Sequence, residues 1–336
     1  PPIFVQLVSN FLGSLGFVDQ ISNLILDNSV CKSRVTGAQA PGGTGALHQL
    51  FLLIRAARSE ATVWVSAPTW PNHPAMLRHL GLSIKNYRYF EEKTCSVDFD
   101  GMREDLKNAK SGDIILLHGC CHNPTGANLT IEQWEEVTSI CLKTNITPLI
   151  DLAYQGFGDG LEQDVLGLRS MALSVPNMMI AASCSKNFGV YRDRVGAAIV
   201  VAEERSAAKL AEDNLKSLNR LTFSFPPDHG AAVIEMILTD PNLRQNWVSE
   251  LENMRKGMLD LRLMLSKSLQ RKTKSERFNF ISEHRGMFSR LGLTEQNVQI
   301  LRERFGIYMV SDSRINIAGL QAGNIDFLSS AISKIL

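Results

Sequence analysis

The sequence predicts an α/β protein: a large domain with a mostly parallel sheet wrapped by helices, followed by a smaller C-terminal α/β domain. Short β-rich apolar runs alternate with helical patterns across residues 62–201, as strands of a parallel sheet do when helices cover both faces. From Asn242 onward the pattern changes to long helices with one short β segment. The chain's 336 residues also exceed the ~250 to 300 at which one hydrophobic core stops growing. The expected division is an N-terminal arm over 1–8, a large domain over 10–250 and a small domain over 251–336.

Each element has its own signal. Pro1–Val8 gives way to a polar Ser9-Asn10 without an element that could finish a domain. Pro41-Gly42-Gly43-Thr44-Gly45-Ala46-Leu47 precedes an amphipathic helix through Arg55. Strands are expected at Thr62–Ser66, Ile84–Phe90, Asp113–His118, Thr147–Asp151, Met178–Ser183 and Ala197–Val201. Leu243–Gln270 and Thr294–Phe305 read as helices, and Ile307–Ile317 as the β segment of the second domain. Ligands of such sheets bind beyond the carboxyl ends of the strands, so the residues just after these runs are where function is sought.

Composition narrows the function classes. With 44% hydrophobic and 21% charged residues the chain has an ordinary globular make-up. Thirty-five Lys and Arg against 34 Asp and Glu leave no overall field to attract nucleic acid or an anionic membrane. The longest apolar stretches, such as Ile114–Leu117 and Met178–Ala182, fall far short of the ~18 residues of a membrane helix, and no signal peptide opens the chain. The expectation is a cytoplasmic protein without nucleic-acid or membrane partners. Six cysteines without a CxxC pair argue against a zinc ribbon or a disulfide framework, so no metal is expected. Adjacent Cys120 and Cys121 read as packing residues on a strand, with no chemistry assigned.

Three segments carry chemistry. A lysine closing a buried strand is usually a solvated surface residue. In Ser183-Cys184-Ser185-Lys186-Asn187-Phe188-Gly189, however, hydroxyls flank Lys186 and Arg194 follows eight residues later. Together they make a phosphate-binding constellation beside an amine able to form an imine. The Gly42-Gly43-Thr44-Gly45 run fits either an anion site at a helix start or a simple turn. Asp151, ending a hydrophobic strand, is costly to bury without a cationic partner. A protonated pyridine nitrogen would serve as that partner, and a turn-capping Asp is the alternative.

Six blocks then resemble the class I aminotransferases of pyridoxal-phosphate fold type I, in the aspartate and aromatic branch. They are PGGTGAL (41–47), PTWPNH (68–73), HGCCHNPTG (118–126), DLAYQGF (151–157), SCSKNFG (183–189) with Arg194, and SRINIAG (313–319). Cys184, Asn128-Leu129-Thr130 and Glu283-His284-Arg285-Gly286 are closer to the bacterial aromatic enzymes. The resemblance implies pyridoxal 5′-phosphate as cofactor and ping-pong transfer of an amino group between an aromatic amino acid or aspartate/glutamate and 2-oxoglutarate. A lyase or decarboxylase using the same cofactor, or an inactive cofactor-binding protein, are the competing readings.

By the same resemblance Lys186 is joined to the cofactor as an imine and then shuttles the proton. Asp151 keeps the ring nitrogen protonated, with His73 orienting it. Asn123 and Tyr154 bond the phenolic oxygen and Trp70 stacks on the ring. Gly43, Thr44, Ser183 and Arg194 hold the phosphate, with Ser224 contributed across a dimer interface. Arg314 clamps the substrate α-carboxylate, beside Trp70 and Asn123. Arg220 of a partner subunit takes a side-chain carboxylate, so a homodimer with shared active sites is implied. Pro1–Val8 resembles the start of the family's N-terminal segment, and a sizeable part of that segment is expected to be absent between Val8 and Asn10. Phe11 stands where the family has a tyrosine.

Overall fold

The structure, a computed structural model, describes residues 12–27 and 29–336. The expected arm over 1–8, the gap after Val8 and Phe11 lie outside the described residues. The chain runs α1 (Leu15–Leu26), β1 (Val35–Pro41), α2 (Gly42–Ala57), β2 (Thr62–Ala67), α3 (Asn72–His79) and β3 (Ser83–Arg88). A short antiparallel pair, β4 (Phe90–Glu91) and β5 (Ser96–Val97), leads to α4 (Phe99–Leu106), β6 (Ile114–His118), α5 (Ile131–Thr144) and β7 (Thr147–Leu152). Then come α6 (Leu166–Ser174), β8 (Met178–Ser183), β9 (Val195–Val201), α7 (Arg205–Thr222) and α8 (His229–Thr239). The C-terminal part holds α9 (Pro241–Thr273), α10 (Phe280–Glu283), β10 (Phe288–Arg290), α11 (Glu295–Phe305), β11 (Arg314–Asn316) and α12 (Ala322–Ser333).

Seven strands form one sheet in the order β1-β9-β8-β7-β6-β2-β3. Only β9 is antiparallel to its neighbours, β1 and β8. Alternate strand residues point to opposite faces, and both faces are apolar. Ile115, Leu117, Ile150, Leu152, Ile180 and Ala182 enter one core cluster, and Ile114, Leu116, Leu149, Met179 and Ala181 enter the other. Every residue of β8 and β9 is buried, which is why these strands read as continuous apolar runs rather than alternating ones. The helix α2 supplies Leu47, Leu50, Phe51 and Ile54 to the second cluster, the i, i+3, i+4, i+7 stripe of an amphipathic helix. Thr130 and Gln133 close a capping box at the start of α5.

The sheet was expected from the alternating runs, with two differences. β1, with the sequence VTGAQAP, has few β-branched residues and went unread, yet its centre is buried between β9 and the helices. The expected strand Ile307–Ile317 shrinks to β11, because residues 307–312 have no strand to pair with; β11 instead pairs with β10, a three-residue strand too short to show a period. The long helix α9 begins with Pro241 at its first turn, capped by Asp240, whose side chain accepts from the Asn242 and Leu243 N–H groups.

Candidate active site

Strand register brings the chemistry to one edge of the sheet. His118 pairs with Asp151 and Asp151 with Ala181, so β6, β7 and β8 end together. The reversed direction of β9 places its first residue, Val195, against both Pro41 and Cys184. Arg194 therefore stands at the same edge as the start of α2. A cavity of about 180 Å³ opens there, and its walls include Gly43, Thr44, Trp70, Asn123, Asp151, Tyr154, Ser183, Lys186 and Arg194.

One end is built for an anion. Gly43 and Thr44 open α2, directing free N–H groups and the positive end of the helix dipole into the cavity. A Cβ at Gly43 would lie 2.7 Å from the Ser183 Cβ, so only glycine lets the helix start come this close to β8. The Arg194 guanidinium donates to the Tyr191 carbonyl at 2.9 Å and lies 3.4 Å from the Ser185 hydroxyl. Amides, hydroxyls and a fixed guanidinium are the donor set of a phosphate monoester.

The other polar pole is Asp151. Its Oδ2 accepts from His73 Nε2 at 3.0 Å. His73 Nδ1 is 2.8 Å from the Thr69 hydroxyl, which is 3.2 Å from His118 Nε2. Donation from His118 to Thr69, from Thr69 to His73 and from His73 to Asp151 satisfies every atom in the ladder. Burial pushes the His118 imidazole down to about 3, so it stays neutral. Burial alone would raise the Asp151 carboxyl, but the hydrogen bond from His73 holds it below its usual range. Asp151 is thus an ionised carboxylate in a nearly dry wall, suited to pair with a cationic ring nitrogen.

Lys186 follows β8 with its Nζ 4.8 Å from the centre of the Tyr154 ring. Burial lowers its pKa and Arg194 lowers it further, while Asp151 opposes them. The net shift is downward, which raises the share of the nucleophilic free amine above that of an ordinary lysine. Burial raises the Tyr154 phenol, which Asp151 reinforces, so it remains protonated and able to donate.

At the mouth, Arg314 Nη1 donates to Asn123 Oδ1 at 3.2 Å, and its guanidinium carbon lies 5.0 Å from the Phe288 ring centre. Trp70 meets His73 edge-on with ring centroids 5.2 Å apart. Arg220 and Ser224 are not on the cavity wall; they stand at the exposed end of α7 and just beyond it, where Leu221 is 82% exposed. Sequence reasoning missed His118, Thr69 and Tyr191. His118 ends a strand, so the strand-end rule pointed to it; the other two lack a sequence signal of their own. Cys120 also reaches the cavity wall. Cys120, Cys121 and Asp164 form the one cluster of metal-type donors among the described residues. The Asp164 carboxylate in it already accepts from the Gly156, Gly158 and Asp159 N–H groups.

An anion cup, a buried carboxylate and a lysine amine around one cavity on this sheet define a pyridoxal-phosphate enzyme of fold type I. The chain belongs to the class I and II aminotransferases, whose family model matches residues 6–332. It is 52% identical over 324 residues to the aromatic-amino-acid aminotransferase of Paracoccus denitrificans, covering 96% of this chain and 82% of that one. The aspartate aminotransferase of Haemophilus influenzae is 42% identical over 311 residues, 92% of this chain and 78% of the relative. A Burkholderia pseudomallei aromatic-amino-acid aminotransferase, solved covalently bound to pyridoxal phosphate, superposes with a TM-score of 0.95 at 38% identity, covering 97% of this chain and 83% of its own. The chain is an aminotransferase, and pyridoxal 5′-phosphate is its cofactor.

Proposed function

We propose that this aminotransferase moves the amino group between an aromatic amino acid or aspartate/glutamate and 2-oxoglutarate, in a site completed by a second copy of the chain. The observation that carries the reading is Arg314 held beside Asn123 at the mouth of the cavity that contains Lys186. A planar two-donor fork suits an α-carboxylate, and it lies where the substrate's Cα would face the lysine amine.

When bound, pyridoxal phosphate supplies a carbonyl that accepts the amino group and a ring that draws off the electrons of the broken Cα–H bond. The residues of the chain do the rest. Gly43, Thr44, Ser183 and Arg194 hold the phosphate, Asp151 holds the proton on the ring nitrogen, and Trp70 fixes the ring plane. Asn123 and Tyr154 donate to the phenolic oxygen. The Lys186 amine would take and return the Cα proton.

The exposed end of α7 supports the dimer. Leu221 and Phe225 are exposed there beside Arg220 and Ser224, apolar groups next to polar ones that an isologous contact would cover. In that assembly Ser224 joins the partner's phosphate cup and Arg220 receives a substrate side-chain carboxylate. Residues 10–250 form the large domain and 251–336 the small one, with α9 spanning the boundary. Among the described residues no helix is long and apolar enough to cross a membrane. The six free cysteines suit a reducing compartment, and the cytoplasm completes the reading.

Turnover of aspartate and phenylalanine with 2-oxoglutarate, in wild type and Arg220→Ala, tests the reading. The expected result is a loss of about a hundredfold in kcat/KM for aspartate with phenylalanine held within about threefold. Equal losses for both donors would contradict it.

A further inference from the structure

Arg262, in the middle of α9, is fully buried, a place where arginine is costly unless its charge and donors are met. None of its hydrogen bonds goes to a carboxylate. Nη1 donates to the Ile281 carbonyl at 3.1 Å and the Ser289 hydroxyl at 2.7 Å, and Nη2 donates to the Gly286 and Phe288 carbonyls, both at 2.8 Å. Nε has no partner. Burial brings the pKa of the group down to about 10, in keeping with a cation held only by dipoles.

All four acceptors lie in the short segment 281–289, and that segment touches both halves of the substrate mouth. On one side Arg285 N donates to the Gly126 carbonyl at 2.9 Å, and a Cβ at Gly126 would collide with the Phe288 carbonyl oxygen. Gly126 belongs to the loop that carries Asn123. On the other side β10 pairs with β11 so that Arg290 faces Arg314, and the Phe288 ring underlies the Arg314 guanidinium. The Phe288 carbonyl that bonds Arg262 therefore belongs to the residue whose ring supports Arg314. Ser289 is tied in turn to His284 at 3.0 Å, which reaches the Cys95 carbonyl at 2.8 Å.

We propose that Arg262 is a positioning residue for the substrate-carboxylate site: its buried guanidinium fixes segment 281–289, and through Phe288 and the Gly126 contact it sets Arg314 against Asn123. This rests on the reading that Arg314 binds the α-carboxylate. The turn between α10 and β10 is held on its core side by this one fork, and a lysine, with a single nitrogen, cannot span four acceptors. Arg262 touches neither substrate nor cofactor, so its effect belongs in KM.

The test compares Arg262→Lys, Arg314→Lys and the double variant as holoenzymes. Steady-state kinetics with phenylalanine and 2-oxoglutarate are measured together with pyridoxal-phosphate affinity by absorbance titration. In Arg262→Lys the expected result is KM raised about tenfold for both substrates, kcat within about threefold and cofactor affinity within about twofold. Because Arg262 acts through Arg314, adding Arg262→Lys to Arg314→Lys should raise KM by less than about twofold more. A folded Arg262→Lys enzyme with wild-type KM, or an effect that multiplies fully on top of Arg314→Lys, overturns the proposal alone. Wild-type KM in Arg314→Lys overturns the carboxylate reading and the proposal with it. If Arg262→Lys does not fold, Ser289→Ala, which removes the closest acceptor, decides in the same way: KM raised about threefold supports the proposal and an unchanged KM overturns it.

Discussion

At the carboxyl end of β7 the Asp151 carboxylate sits in a wall that offers it one strong donor, His73, and a nearby amine, Lys186. Removing it leaves the phosphate cup in place but takes away the charge that holds the ring proton. Asp151→Ala should therefore lower kcat by about a thousandfold or more while the protein still binds pyridoxal phosphate; wild-type-like turnover would contradict its role. Thr69→Val keeps the shape but cuts the ladder between His73 and His118. It should lower kcat by about threefold to tenfold without moving KM, the size expected for one lost hydrogen bond to an orienting group. Lys186, Asp151 and Arg194 drew attention in the sequence as chemistry at the ends of apolar strands and Asn123 through its block alone, and the structure brings all four to one cavity. The Thr69 link was not legible, since it depends on α3 and β6 meeting in space.

Helix α2 begins so close to β8 that the Ser183 side chain fills the space a Cβ would need at Gly43. Gly43→Ala should push the helix start off the sheet and weaken pyridoxal-phosphate binding by at least about tenfold in an absorbance titration, with Tm lowered by only a few degrees. An unchanged affinity would remove this helix start from the phosphate site. The glycine run was visible in the sequence, but its meaning stayed open between turn and anion site until β1 placed it. β1 itself was hidden: a strand of small residues, buried by its neighbours, lacks both the alternation and the β-branching that announce a strand. β10 and β11 were obscured for another reason. Each is three residues long, and β10 takes a hydrogen bond at Phe288 from Arg262 in a different element.

Across the whole molecule, buried neutral histidines set the response to acid. Burial, with the Arg262 and Arg285 charges, brings His284 down to about 4 despite its bond to the Cys95 carbonyl. The unfolded chain protonates this residue near its ordinary value, whereas the folded protein does not. Its contribution to stability is therefore complete above that value and is lost as pH falls toward 4. A shift from the ordinary 6.5 to about 4 corresponds to about 2 kcal/mol lost between neutral pH and pH 5. Chemical denaturation at the two pH values should show that loss, and His284→Gln should flatten the dependence by about the same amount; an equally steep dependence in the variant would assign the acid sensitivity elsewhere. The large sheet and its helices were legible in the sequence because a parallel core imposes long apolar runs. The surroundings of the C-terminal segment were not, because they depend on a buried arginine whose acceptors are all backbone carbonyls and one hydroxyl.

Amino-group transfer by Lys186 and Asp151 at this cavity can be read from the visible absorbance of the protein with pyridoxal phosphate, before and after phenylalanine or aspartate is added. The expected result is a lysine-bound cofactor band that converts to the pyridoxamine form with the amino donor and returns on addition of 2-oxoglutarate. A band that no amino donor shifts, or no band at all, would contradict it.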